Sequence, residues 1–121
     1  MGTFDNQKQS PFACNMEALS LNERPLHIAL IKELFQIVQS VSELNDGYAF
    51  ELPNTPEMLD MVTRFISKER FCCPFFGFAI VMEPESTKMW LQIKGRDGIK
   101  PFIRAEFGRP LINELLKKSS N

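Results

Sequence analysis

Apolar residues recur at helical spacing from Pro25 to about Ser42, at Leu30, Ile31, Leu34, Val38 and Val41. His27 lies on the same stripe, three positions before Leu30 and four before Ile31. Ser20-Leu21-Asn22-Glu23 fits a capping box ahead of this helix, and Pro25 suits a first helical turn. Asn45-Asp46-Gly47 is a turn signal, and Tyr48 to Leu52 alternates as a short strand ended by Pro53. Thr55-Pro56-Glu57 starts a second helix with a capping hydroxyl, a proline at the first position and an acid at the positive end of the dipole. That helix is expected to run to Phe71 or Cys72 on a stripe of Met58, Met61, Val62, Phe65 and Ile66, and Pro74 stops it.

Phe76 to Met82 reads as a buried strand, and Lys88 to Lys94 as its hairpin partner across the Glu83-Pro84-Glu85-Ser86 turn. Trp90 shares a face with Lys88, Gln92 and Lys94, so a further element or a second subunit is expected to cover that side. Gly95-Arg96-Asp97-Gly98 turns the chain into a helix over Ile99 to Phe107; Gly108 and Pro110 break it, and Leu111 to Lys118 forms a final short helix. The order is α-β-α-β-β-α. It predicts an α+β fold: a small antiparallel or mixed three-stranded sheet with helices packed on one face, in a split or ferredoxin-like arrangement. Residues 1–13 read as a flexible N-terminal arm and residues 14–121 as a single domain. So few strands leave exposed edges, which makes a homodimer an expected way to cover them.

Composition narrows the function. With 14 Lys+Arg against 15 Asp+Glu, the net charge of -1 points away from a nucleic-acid partner. No apolar run reaches membrane-span length, and no signal-peptide pattern opens the chain, so a cytoplasmic protein without a membrane partner is expected. The chain holds 3 Cys and 1 His, which excludes a His-rich metal site and favours chemistry by thiols and carboxylates. An odd number of cysteines in a reducing compartment predicts free thiols, although vicinal Cys72 and Cys73 could close a strained ring, or Cys14 could bridge to one of them.

The segment with most chemical content is Glu69-Arg70-Phe71-Cys72-Cys73-Pro74-Phe75-Phe76. Glu69 follows Ile66 by three positions and Phe65 by four, so it continues the apolar stripe of its helix. A carboxylate there must be paired, protonated or at a cavity. Cys72 lies on the same face, and the pre-proline geometry of Cys73 redirects its thiol. If the first helix packs its start against the end of this one, Cys14 and His27 join Glu69, Cys72 and Cys73. Such a set suits a soft ion such as zinc, mercury(II) or arsenite. The spacing is not that of a zinc finger. Against this stands a plain alternative: cysteines among Phe71, Phe75, Phe76 and Phe78 also serve as small core hydrophobes.

The run Glu69 to Phe78 resembles the Glu-Arg-x-Cys-Cys-Pro-Phe-x-x-Phe signature of a family of small uncharacterised bacterial proteins. The Asp46-Gly47-Tyr48-Ala49-Phe50 strand, Trp90-Leu91, the Gly98 to Ile103 helix start and the Cys14 to His27 region also look like that family, over roughly residues 12–107. Some members are encoded beside mercury- or metal-responsive genes. The resemblance implies a site around the paired cysteines and supplies no reaction.

Three functions follow as expectations. The first is a small thiol protein binding a soft metal or metalloid ion, with Cys72, Cys73 and Cys14 as ligands, His27 as auxiliary ligand and Glu69 as proton acceptor. The second is a thiol-dependent enzyme acting on a small molecule, of the carbon–metal cleavage type, with Cys72 or Cys73 as nucleophile and Glu69 as proton donor. The third is a non-catalytic dimerisation or ligand-sensing module with structural cysteines.

Overall fold

A computed structural model describes residues 12–108 together with Ile112, Glu114 and Leu115. Helix α1 (Glu23–Ile37) is followed by strands β1 (Ser40–Leu44) and β2 (Gly47–Pro53), helix α2 (Pro56–Cys72), strands β3 (Gly77–Val81) and β4 (Lys88–Lys94), and helix α3 (Ile99–Phe107). A 3-10 turn, Met16–Ala18, precedes α1. Ile112, Glu114 and Leu115 are helical, and the rest of the expected final helix lies outside the described residues, as do residues 1–11 of the expected arm.

The α+β class and the helix starts are as expected. Ser20 and Glu23 form the reciprocal capping box, Ser20 N–H donating to Glu23 Oε1 at 3.1 Å and Glu23 N–H to Ser20 Oγ at 3.3 Å. Thr55 Oγ1 accepts from Met58 N–H at 3.1 Å, with Pro56 in the first turn. One expectation fails. The sheet has four strands in the order β1-β2-β4-β3, not three. The helix expected to reach Ser42 ends at Ile37, and Ser40–Leu44 is a strand. Val38 already has extended geometry (φ -55, ψ 127), and buried Val41 pairs with Phe50 across the β1–β2 hairpin. The valines at helical spacing are β-branched residues that pack equally well on a pleated surface.

All three pairings are antiparallel. Strands β2 and β3 are therefore parallel to each other, with β4 inserted between them, and β2-α2-β3 is a split βαβ unit. Val41, Phe50, Leu91 and Ile80 stand in one row, with Tyr48, Ile93 and Phe78 in the next, on one face of the sheet. The helices cover this face: Phe35 of α1 meets Phe50 edge-on at 5.1 Å, and Phe65 of α2 meets Phe78 at 6.0 Å. On α3, Arg104 donates to the hydroxyl of buried Tyr48. The opposite face carries Trp90, Gln92 and Lys94, all partly exposed, so no described element covers it. Gly47 must be glycine, because a Cβ there would stand 2.0 Å from the Ile93 carbonyl oxygen.

Candidate functional site

The face that α1 and α2 bury against the sheet carries two polar side chains out of place in a hydrocarbon core. His27, in the second turn of α1, and Glu69, in the last turn of α2, are 2% and 1% exposed. They meet: His27 Nε2 lies 2.7 Å from Glu69 Oε1. Glu69 was expected to need a partner, and the partner is the one histidine of the chain. His27 Nδ1 is buried without a hydrogen-bond partner among the described residues. On the outer side, His27 forms part of a groove of about 270 Å³ between α1 and α2, with Leu26, Arg64, Ser67 and Lys68.

The second oxygen of Glu69 faces Cys73, with Oε2 at 3.4 Å from Sγ. This position follows from the helix end. Cys73 caps α2, its N–H donating to Glu69 O at 2.8 Å, and Pro74 prevents a further turn. Next to it, Asn15 N–H donates to Cys72 O at 2.8 Å, drawing the segment before the 3-10 turn alongside the helix end. Phe12 reinforces the placement, stacking edge-on against Phe75 at 5.2 Å and lying under Arg96 at 4.3 Å. Gly98, at φ 94, leaves room for the Phe12 ring.

The expectation of reduced thiols is overturned here. Cys14 and Cys73 are joined by a disulfide, with a Cα–Cα distance of 4.7 Å across 59 positions of sequence. This is one of the pairings left open by the sequence, and the backbone bond from Asn15 to Cys72 brings the two residues together. The same distance argues against Cys14 and Cys73 as scattered core filler, whereas free, buried Cys72 sits in the hydrophobic core as that alternative expects.

Cys72 is the free cysteine, 1% exposed. Burial pushes its thiol above the ordinary value of 9.0, and the carboxylates of Glu69 and Glu106 push the same way. Neither Arg24 nor Arg70 offsets this. Arg24 Nε donates to the carbonyls of Met16 and Leu19, and Arg70 Nε to that of Ser67 while its guanidinium lies over Phe71. A thiol so placed is little ionised at neutral pH, which weakens the case for Cys72 as a nucleophile.

Four donor atoms converge: one each from Cys14, Glu69, Cys73 and Glu106, all within 4.8 Å of one another. This cysteine–carboxylate cluster could hold a metal ion. Of the ligands expected from sequence it contains Cys14 and Cys73; Glu69 takes part directly, and Cys72 and His27 stand outside it. Glu106 is new. It follows Ile103 by three positions and Phe102 by four, the relation that singled out Glu69, so the same stripe argument would have found it. Although the residue as a whole is exposed, its carboxyl is held above the ordinary carboxylic range by burial and then by Glu69.

No family model, curated protein or solved structure matches the chain. Among the described residues, no helix is long and apolar enough to cross a membrane.

Proposed function

We propose that this protein binds a soft metal or metalloid ion in its reduced form, through the thiolates of Cys14 and Cys73 with the carboxylates of Glu69 and Glu106. The observation that carries this reading is the convergence of four donor atoms within 4.8 Å. Ligands around a four-coordinate zinc stand about 3.3–3.8 Å apart, so on reduction the two sulfurs part and the carboxylates draw in to reach an ion. Two sulfur donors favour zinc, mercury(II) or arsenite-type ions over magnesium or calcium. Sulfurs bonded to each other are not thiolates, so the disulfide form is the closed state of the site. His27 fits as the group that orients Glu69, since it holds one carboxyl oxygen at 2.7 Å and leaves the other toward Cys73.

Titration of the phosphine-reduced protein with zinc or mercury(II) tests the reading. One ion per chain is expected, with binding lost in Cys14→Ser/Cys73→Ser, weakened in Glu69→Gln and absent from the oxidised protein. Equally weak binding by the reduced wild type and the double variant would overturn it.

A further inference from the structure

The two sulfurs of the disulfide are not equivalent. Cys73 has no exposed surface, whereas Cys14 is half-buried between exposed neighbours, Ala13 and Asn15. Thiol–disulfide exchange requires a thiolate to approach one sulfur in line with the bond it breaks. Attack on Cys73 would have to come through the packed end of α2, where Cys72 and Phe76 are also buried. Attack on Cys14 comes from the solvent side and expels Cys73 inward.

The interior holds an acceptor for the thiol that this leaving group becomes once it is protonated. In the disulfide, the Cys73 sulfur carries no hydrogen, and its 3.4 Å approach to Glu69 Oε2 is a contact only. Once reduced, Cys73 S–H has an acceptor already in place at that distance. The acceptor is held by His27 on its other oxygen at 2.7 Å. The reduced state therefore gains a hydrogen bond that the oxidised state lacks, without any change of fold.

We propose that Cys14 is a site of exchange with low-molecular-mass monothiols, which reduce the disulfide by way of a form carrying the small thiol on Cys14. In the first step the thiolate RS⁻ bonds to Cys14 Sγ, the Cys14–Cys73 bond breaks, and its electron pair leaves on Cys73. The proton lost by RSH is balanced by the one Cys73 gains. A second RSH releases Cys14 as a thiol and leaves as RSSR, so the protein is reduced by two electrons and two thiols are oxidised. No bound ion enters this scheme, so it stands or falls separately from the ion site.

The test uses the full-length oxidised chain without added metal. It is incubated with reduced glutathione, quenched with an alkylating agent at short times and mapped by mass spectrometry. Glutathione on Cys14 with the alkyl label on Cys73 is the expected first product. Glutathione first on Cys73, or a disulfide that excess glutathione leaves intact, would overturn the proposal. A second measurement uses glutathione disulfide on the single variants. Cys14 in Cys73→Ser is expected to be modified about tenfold faster or more than Cys73 in Cys14→Ser, and equal rates would overturn it.

Discussion

Glu69 and His27 lie 42 positions apart and meet at 2.7 Å inside the core, each almost without exposed surface. Removing one partner strands the other in a medium that solvates it poorly. His27→Ala is therefore expected to cost about 3 kcal/mol of stability, read by urea unfolding. Glu69→Gln keeps an oxygen and loses less. A His27→Ala protein as stable as wild type would show that the pair contributes nothing net.

Thiol counting checks the disulfide. The denatured, unreduced chain is expected to show one reactive thiol, Cys72, and three after reduction. In the native state Cys72 reacts slowly, since it is buried and its thiol is pushed above 9.0. Three thiols without reductant would exclude the bond.

Closing a loop across 59 positions removes unfolded-state entropy equivalent to about 4 kcal/mol in the chain-entropy account. Reduction, or Cys14→Ser, is expected to lower the unfolding free energy by an amount approaching that figure. Parallel denaturation curves with and without phosphine measure it, and coincident curves would contradict the expectation.

How far the sequence foretold this arrangement depends on the kind of signal. The start of α2 was legible because Thr55, Pro56 and Glu57 act locally on a helix end. Glu69 was legible because a carboxylate on an apolar stripe demands an explanation. The β1 strand is not legible in the sequence, since Val38 and Val41 satisfy helical spacing by coincidence, while Val38 ends the helix and Val41 is held in the ladder with β2. The Cys14–Cys73 bond is one of the pairings the sequence leaves open, and residue types do not select it: a backbone hydrogen bond from Asn15 to Cys72 sets Cys14 beside the helix end.

An acid-range prediction comes from Glu23. Its carboxyl is held at about 2, against an ordinary 4.5, first by Lys68 and then by the Ser20 N–H and hydroxyl. A depressed carboxyl stabilises the fold above its unfolded value, and that contribution is lost as pH falls from about 4.5 through about 2. Lys68→Met should flatten stability against pH in that window. An unchanged slope would show that the pair is screened at this surface.

Gly47→Ala is expected to destabilise by about 2 kcal/mol or more, because the added methyl would stand 2.0 Å from the Ile93 carbonyl oxygen in the β2–β4 ladder. Thermal unfolding measures this, and a neutral result would mean that the strands can part without loss.

The bond between Cys14 and Cys73 makes a covalent ring of the first half of the chain. The ring encloses α1, β1, β2 and α2, while β3, β4 and α3 trail outside it. The two halves of the sheet thus differ in how a broken backbone would behave. A protease nick at the Asn45–Asp46 turn leaves one molecule, because both fragments are still joined through sulfur. A nick in the Glu83–Ser86 turn leaves β4 and α3 held by non-covalent contacts alone, among them the pairing of β4 with β2 and β3 and the hydrogen bonds of Lys100 and Arg104. Until a thiol opens the ring, the hairpin of β1 and β2 survives cleavage as a single covalent piece, and the hairpin of β3 and β4 does not.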